Sequence, residues 1–255
     1  MKLPNPFPGT VQTTVQVIST TTVNPTKTYE YKQAGTKGVL IAVVLDESGS
    51  MLSCWDATIA GFNEYVASQR ANTTAGAAYL TLNKFDSPHI TTVFANRPIE
   101  EVPALDKNSY RPNGGTNLLD AIGYTIEQTN NTLAGFKRED RPGVIIICTT
   151  DGEENASNKY NNQTIKDMVK SAEAADWSFI FMGANIDSFA VGSNFGMSVN
   201  NTVNYSTQNM AGTYSGLSAT TSRIRSAKVA GVDTQTIYAR SMFTDEEKSN
   251  MGDRK

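Results

Sequence analysis

Two aspartates and three hydroxyl side chains carry the chemistry that this sequence can do. Asp46-Glu47-Ser48-Gly49-Ser50 follows one apolar run, and Thr149-Thr150-Asp151-Gly152-Glu153-Glu154 follows another. Between them, Gly114-Gly115-Thr116 opens a helix. If both apolar runs are strands of a parallel sheet, their carboxyl ends share one edge, where open α/β sheets bind ligands. Asp46, Ser48, Ser50, Thr116 and Asp151 then face a common point. Such an all-oxygen set suits Mg²⁺, with Ca²⁺ or Mn²⁺ as alternatives, and is the wrong set for zinc or copper. Only two of the five are charged and Mg²⁺ usually keeps several waters, so a coordination position stays open for a carboxylate from a partner. Each segment taken alone reads better as a helix cap, since aspartate and serine favour that place. Capping does not require the three together.

The elements that must position these residues are legible from Gly38 onward. Val39-Leu-Ile-Ala-Val-Val-Leu45 is continuously apolar, as expected of a parallel strand covered on both faces. A helix follows whose stripe is Leu52, Trp55, Ile59, Phe62 and Val66. Tyr79–Phe85 and His89–Phe94 flank Asp86-Ser-Pro88 as a hairpin, with Asp86 read as a turn residue. After Thr116 comes a helix carrying Leu119, Ile122, Ile126 and Leu133. Val144–Cys148 is a buried strand. Ile165, Val169 and Ala172 mark a third helix, and Trp177–Met182 a further strand. A fourth helix spans 208–227, with Met210, Tyr214, Leu217 and Ile224 inward. Strands alternating with helices predict an α/β fold, a doubly wound, mostly parallel sheet with helices on both faces. The domain is expected to span 37–230. Residues 231–255 read as a polar C-terminal tail ending in a short helix, with a capping box from Thr244 to Glu247.

Composition removes several function classes. The 255 residues carry 22 Lys+Arg against 25 Asp+Glu, a net charge of -3, so no basic footprint for nucleic acid exists. The longest apolar run is far short of a membrane span. The opening Met-Lys-Leu-Pro-Asn-Pro leads into no apolar h-region, so no secretory signal is expected. Cys54 and Cys148 cannot build a disulfide framework, and a cytoplasmic, reducing setting is the simplest reading. The lone His89 lies in a turn, away from any nucleophile. Glu153 and Glu154 read as a solvated loop.

Asp46-x-Ser48-x-Ser50, then Thr116, then Asp151-Gly152 resembles the metal-ion-dependent adhesion site of the von Willebrand factor A domain, over roughly residues 38 to 230. More narrowly, Leu45–Met51, Gly61-Phe-Asn-Glu64, Tyr110–Thr116 and Thr150–Ser157 are similar to stand-alone A-domain proteins of bacteria and their phages. The resemblance implies that Ser48 and Ser50 ligate a divalent cation directly. It implies that Asp46 and Asp151 do so directly or through water, and that Thr116 changes its contact as the site opens. It also implies a protein partner supplying an Asp or Glu carboxylate. No lysine or histidine is suitably placed as a catalytic base, so no enzymatic activity is expected. A phosphohydrolase using Asp46 as nucleophile would want a second aspartate two residues on, where this chain has Ser48.

Residues 1–36 fall outside that resemblance. They are rich in Thr, Val and Pro, with strand-like stretches at Val11–Thr20 and Thr26–Lys32. They read as an extended arm or as a tail. As an arm they would pair with an exposed sheet edge, in the same chain, in a homo-oligomer or in a virion neighbour. This supports a competing class, a structural assembly component of a phage virion or tail, in which the metal only stabilises the fold.

Overall fold

A computed structural model describes residues 38–239 and 242–252. The arm at 1–36 lies outside them. The apolar run at the start forms β1 (Val39–Asp46), buried along its whole length. Its side chains alternate between two cores. Val39, Ile41, Val43 and Leu45 face one side, while Leu40, Ala42 and Val44 face the other. That is why both faces of this strand had to be apolar. Six strands make one sheet in the order β3-β2-β1-β4-β5-β6. β2 (Ala78–Phe85) and β4 (Gly143–Thr150) flank β1 in parallel, and β5 (Trp177–Gly183) and the short β6 (Thr202–Asn204) continue parallel beyond β4. Only β3 (Ile90–Pro98) runs antiparallel, as the returning arm of the hairpin. The chain leaves β1 toward one side and returns on the other, so the gap between β1 and β4 is the switch point.

α1 (Trp55–Ala71) and α5 (Met210–Val229) cover one face; α2 (Leu118–Ala134) and α3 (Asn162–Ala174) cover the other. The stripes expected of α2, α3 and α5 are the buried ones. α1 differs at its start. Gly49–Cys54 is a 3-10 turn, so the register advances before the α-helix begins. Met51 and Cys54 point inward in place of Leu52, which is 57% exposed, and the buried face of α1 runs through Thr58, Phe62, Tyr65 and Val66. Trp55 and Ile59 are only partly buried.

Three short elements have no counterpart in the sequence reading: α4 (Ser188–Asn194), β6 and α6 (Thr234–Tyr238). Each is too short to show a periodicity. The segment from 231 is polar in composition, yet it closes the core beside α5. Ile237, Tyr238, Met242, Phe243 and Met251 are buried there, and α7 (Asp245–Met251) begins with the expected capping box between Thr244 and Glu247. Among the described residues no helix is long and apolar enough to cross a membrane.

α1 and α5 approach so closely that Gly61 meets the ring of Tyr214. A Cβ added at Gly61 would lie 2.1 Å from Tyr214 Cδ2, inside any tolerable contact. Gly61→Ala is expected to destabilise the fold by about 1–3 kcal/mol or more through overpacking. Gly135→Ala, whose Cβ would meet only a carbonyl oxygen at 3.6 Å, is the control and should leave stability nearly unchanged. Urea unfolding of the two variants checks the contrast.

Candidate metal site

Three loops at the carboxyl ends of β1 and β4 build the site, and main-chain bonds lock them to one another. Gly49 N–H donates to Gly114 O at 3.1 Å, and Asn113 N–H to Glu47 O at 2.8 Å. The second loop is tied to the third by Asn155 N–H on Thr116 O at 3.0 Å and by Thr116 N–H on Asn155 Oδ1 at 2.9 Å. Ser87 N–H donates to Gly115 O at 2.8 Å, bringing in the hairpin turn. This crowding explains Gly114. Its φ is +69°, and a Cβ there would lie 2.7 Å from Ser87 O. Only glycine fits.

The five residues singled out by the sequence come together. Asp46 ends β1 and is fully buried, its Oδ1 accepting from Ser48 N–H at 2.7 Å and its Oδ2 from the Thr150 hydroxyl at 2.6 Å. Ser48 Oγ lies 3.0 Å from Ser50 Oγ, and the Ser50 hydroxyl donates to Asp151 Oδ1 at 2.5 Å. Gly152 leaves room for the remaining hydroxyl. A Cβ there would sit 3.3 Å from Thr116 Oγ1 and 3.5 Å from Ser50 Oγ, so both hydroxyls border the same point. Asp86 stays in the hairpin turn, accepting a backbone bond from no loop of the site and pairing with His89 Nδ1 at 3.3 Å.

Several residues that hold the site were not singled out as functional. Thr150 clamps Asp46 from the neighbouring strand. The buried Tyr110 donates its hydroxyl to Asp46 O at 2.6 Å, and its own carbonyl accepts from Trp55 Nε1 at 2.8 Å. Glu47 binds Lys84 Nζ at 2.8 Å and also accepts from the Arg111 N–H. Glu154, read as a solvated loop residue, instead accepts from Leu119 N–H at 2.9 Å and from the Ser157 N–H and hydroxyl, each at 2.7 Å. It caps the start of α2 and folds the third loop. Thr150, Glu47 and Glu154 adjoin the motif residues in sequence; Tyr110 carried no spacing signal.

Electrostatics show what the arrangement lacks. Burial raises the Asp46 carboxyl from its ordinary 3.8 to about 6, against the opposing bonds from Thr150 and Ser48, and the charge of Asp151 adds to the rise. Asp151 is also raised, chiefly by burial. Among the described residues, no lysine, arginine or histidine pairs with either carboxylate. Nor, among those residues, do three His, Cys, Asp or Glu side chains cluster as a metal cage. A cation here would be held by two carboxylates, hydroxyls and water. That donor set fits a hard divalent ion.

No protein-family model matches this sequence, and no curated protein does. Solved structures match its fold. Proximal thread matrix protein 1 from the mussel byssus, in a structure with a zinc-occupied MIDAS motif, gives a TM-score of 0.52 at 14% identity, covering 71% of this chain and 47% of that one. The pilus adhesin SpaC from Lactobacillus rhamnosus GG, in its open conformation, gives 0.56 at 13% identity, covering 75% of this chain and 31% of that one. This chain thus spans about half the length of the first and a third of the second. At these identities the likeness is one of fold.

A raised carboxyl pKa has a definite sign. Folded Asp46 takes up a proton more readily than unfolded Asp46, so this group costs the metal-free protein stability as pH rises from about 4 to 6. Above that the cost is constant. A bound cation requires the carboxylate form, so its stabilisation should grow over the same interval. Melting curves from pH 4.5 to 7.5, in EDTA and in excess Mg²⁺, are expected to diverge with pH. Asp46→Asn should flatten both the divergence and the EDTA slope.

Proposed function

We propose that this chain, whose fold is that of a von Willebrand factor A domain, is a metal-dependent protein-recognition module. In this reading Asp46, Ser48, Ser50, Thr116 and Asp151 hold a divalent cation at the carboxyl ends of β1 and β4. The cation completes its coordination with an Asp or Glu carboxylate of a partner protein. One observation carries the reading: two buried carboxylates with no basic partner among the described residues face a row of hydroxyls that cannot neutralise them. Like charges in that position favour a cation between them. Because only two carboxylates face it, the ion retains enough field to attract a third from outside.

Mg²⁺ is the proposed ion, with Ca²⁺ or Mn²⁺ able to replace it. Oxygen donors do not by themselves exclude zinc: the mussel protein's MIDAS motif holds it. The expectation that such a set is wrong for zinc is therefore too strict, and ion identity is set as much by availability as by ligand type. The reading is non-enzymatic. Lys84 is engaged by Glu47 and His89 lies against Asp86, and neither pairs with Asp46 or Asp151. Ser48 stands where a phosphohydrolase would need its second aspartate.

A second reading, an assembly component, draws on β3. It is a nine-residue strand at the sheet's edge, and long edge strands invite pairing with another chain. The arm at 1–36 would supply the added strand, to a second copy or to a virion neighbour. Deleting residues 1–36 and measuring solution mass separates the two readings. A monomer before and after, at equal melting temperature, removes the assembly role.

For the main reading, Mg²⁺ at a hundredfold excess over its dissociation constant should stabilise the fold by about 2.7 kcal/mol. Asp46→Ala with Asp151→Ala should abolish that gain. Identical melting of the native protein in Mg²⁺ and EDTA would sink the metal site. Thr116→Ala should fold normally yet weaken Mg²⁺-dependent partner capture by about 1–3 kcal/mol, the cost of one lost polar contact. Pull-down in Mg²⁺ against EDTA, followed by calorimetry with the captured partner, measures it.

A further inference from the structure

The third loop does more than carry Asp151. Beyond Gly152 it runs along the start of α2, and the two exchange hydrogen bonds in both directions. The first turn of α2 gives Leu119 N–H to Glu154 Oε2 at 2.9 Å and Asp120 N–H to Ser157 Oγ at 3.0 Å. The loop gives back Asn158 N–H to Asp120 Oδ2 at 2.9 Å. Lys159 and Tyr160 N–H reach Asp120 Oδ1 at 3.0 and 2.9 Å. Ser157 links the two carboxylates, because its hydroxyl also donates to Glu154 Oε2 at 2.7 Å. Glu154 Oε1 meanwhile takes Ala156 and Ser157 N–H at 2.8 and 2.7 Å. Bonds to an ionised acceptor are the stronger kind.

Thr116 stands at the head of this seam. Its carbonyl accepts from both Asn155 and Ala156 N–H, at 3.0 and 3.2 Å. Packing carries the seam further along the helix. The Tyr160 ring lies so close to Gly123 that a Cβ there would stand 2.5 Å from Cε2, and Lys159 Nζ meets Glu127 Oε2 at 3.0 Å. The first loop is fastened elsewhere. Its main-chain bonds to the second loop fall on Asn113 and Gly114, before Gly115 and Thr116.

We propose that Glu154, Ser157 and Asp120 form a clasp that makes the third loop and the start of α2 one rigid unit, and that through it Glu154 and Asp120 are positioning residues for Thr116. The Thr116 hydroxyl then has no freedom of its own. It approaches or leaves the cation only as the whole unit moves. The positioning role rests on the metal-site reading, whereas the unity of the clasp does not.

Amide hydrogen exchange of the full chain in EDTA tests the clasp without metal. Glu154→Gln removes acceptors used by Leu119, Ala156 and Ser157. A cooperative unit opens as a whole, so the variant should also speed exchange at Lys159 and Tyr160, which bond to Asp120, by about tenfold. Acceleration confined to the amides that Glu154 itself accepts overturns the clasp. Calorimetric titration with Mn²⁺ tests the positioning role. Glu154→Gln and the charge-neutral Ser157→Ala should each weaken binding about tenfold. In a Thr116→Ala background either change should matter less than about twofold, because the hydroxyl they place is gone. Effects retained in full there, or native-like affinity in both single variants, overturn the positioning role. Ser157→Ala breaks only the link between the two carboxylates, and it supplies both readings should Glu154→Gln not fold. Failure of the native protein to bind Mn²⁺ would refute the metal reading and the positioning role with it, and leave the exchange result standing.

Discussion

Burying one carboxylate at the end of a central strand is the constraint around which the upper edge of this molecule is organised. β1 is apolar on both faces because helices cover both, and Asp46 is carried into that dry environment as its last residue. A charge there must be compensated. The protein supplies Ser48 N–H and the Thr150 hydroxyl on its two oxygens, and these dipoles fall short of cancelling the burial. Asp151, at the end of the adjacent strand, makes the shortfall larger. Two strands that must be adjacent for the fold to form thus leave a deficit of positive charge at their ends. A divalent cation removes it in a single step.

Holding that deficit open requires rigid loops, because a flexible site would relax by turning a carboxylate to water. The three loops are fastened mainly through main-chain groups, with Asn155, Glu47 and Glu154 adding side-chain ties. Gly114 permits the closest crossing, and Gly152 leaves the space where Thr116 and Ser50 present their hydroxyls. The stiffness is therefore local and independent of the ion.

Much of this was readable from residue types. Strand β1, with Asp46 at its end, followed from a continuous apolar run; the convergence of Asp46, Ser48, Ser50, Thr116 and Asp151 followed from parallel topology alone. What escaped did so for physical reasons. Leu52 looked like part of a helical stripe because a 3-10 turn and an α-helix differ by a fraction of a residue per turn, which no short pattern reveals. Tyr238, Phe243 and Met251 sit among polar neighbours, so their burial against α5 depends on tertiary contacts that composition does not express. Tyr110 sits in a loop without period, and its bond to Asp46 spans 64 positions.

Fastening the loops largely through the main chain separates two kinds of evolutionary freedom. Leu52, Ser53, Arg111, Asn113, Glu153 and Asn158 lie on the three loops or directly after them in sequence, exposed to solvent and outside the five-residue set. The anchoring bonds of Gly49, Asn113 and Asn155 to neighbouring loops use N–H groups that nearly any replacement would retain. Such a rim can drift through many sequences while the chamber below stays fixed. Under the proposed function, a lineage could retarget the domain to a new protein by surface substitutions alone, keeping one ion-dependent latch and changing what it fastens to.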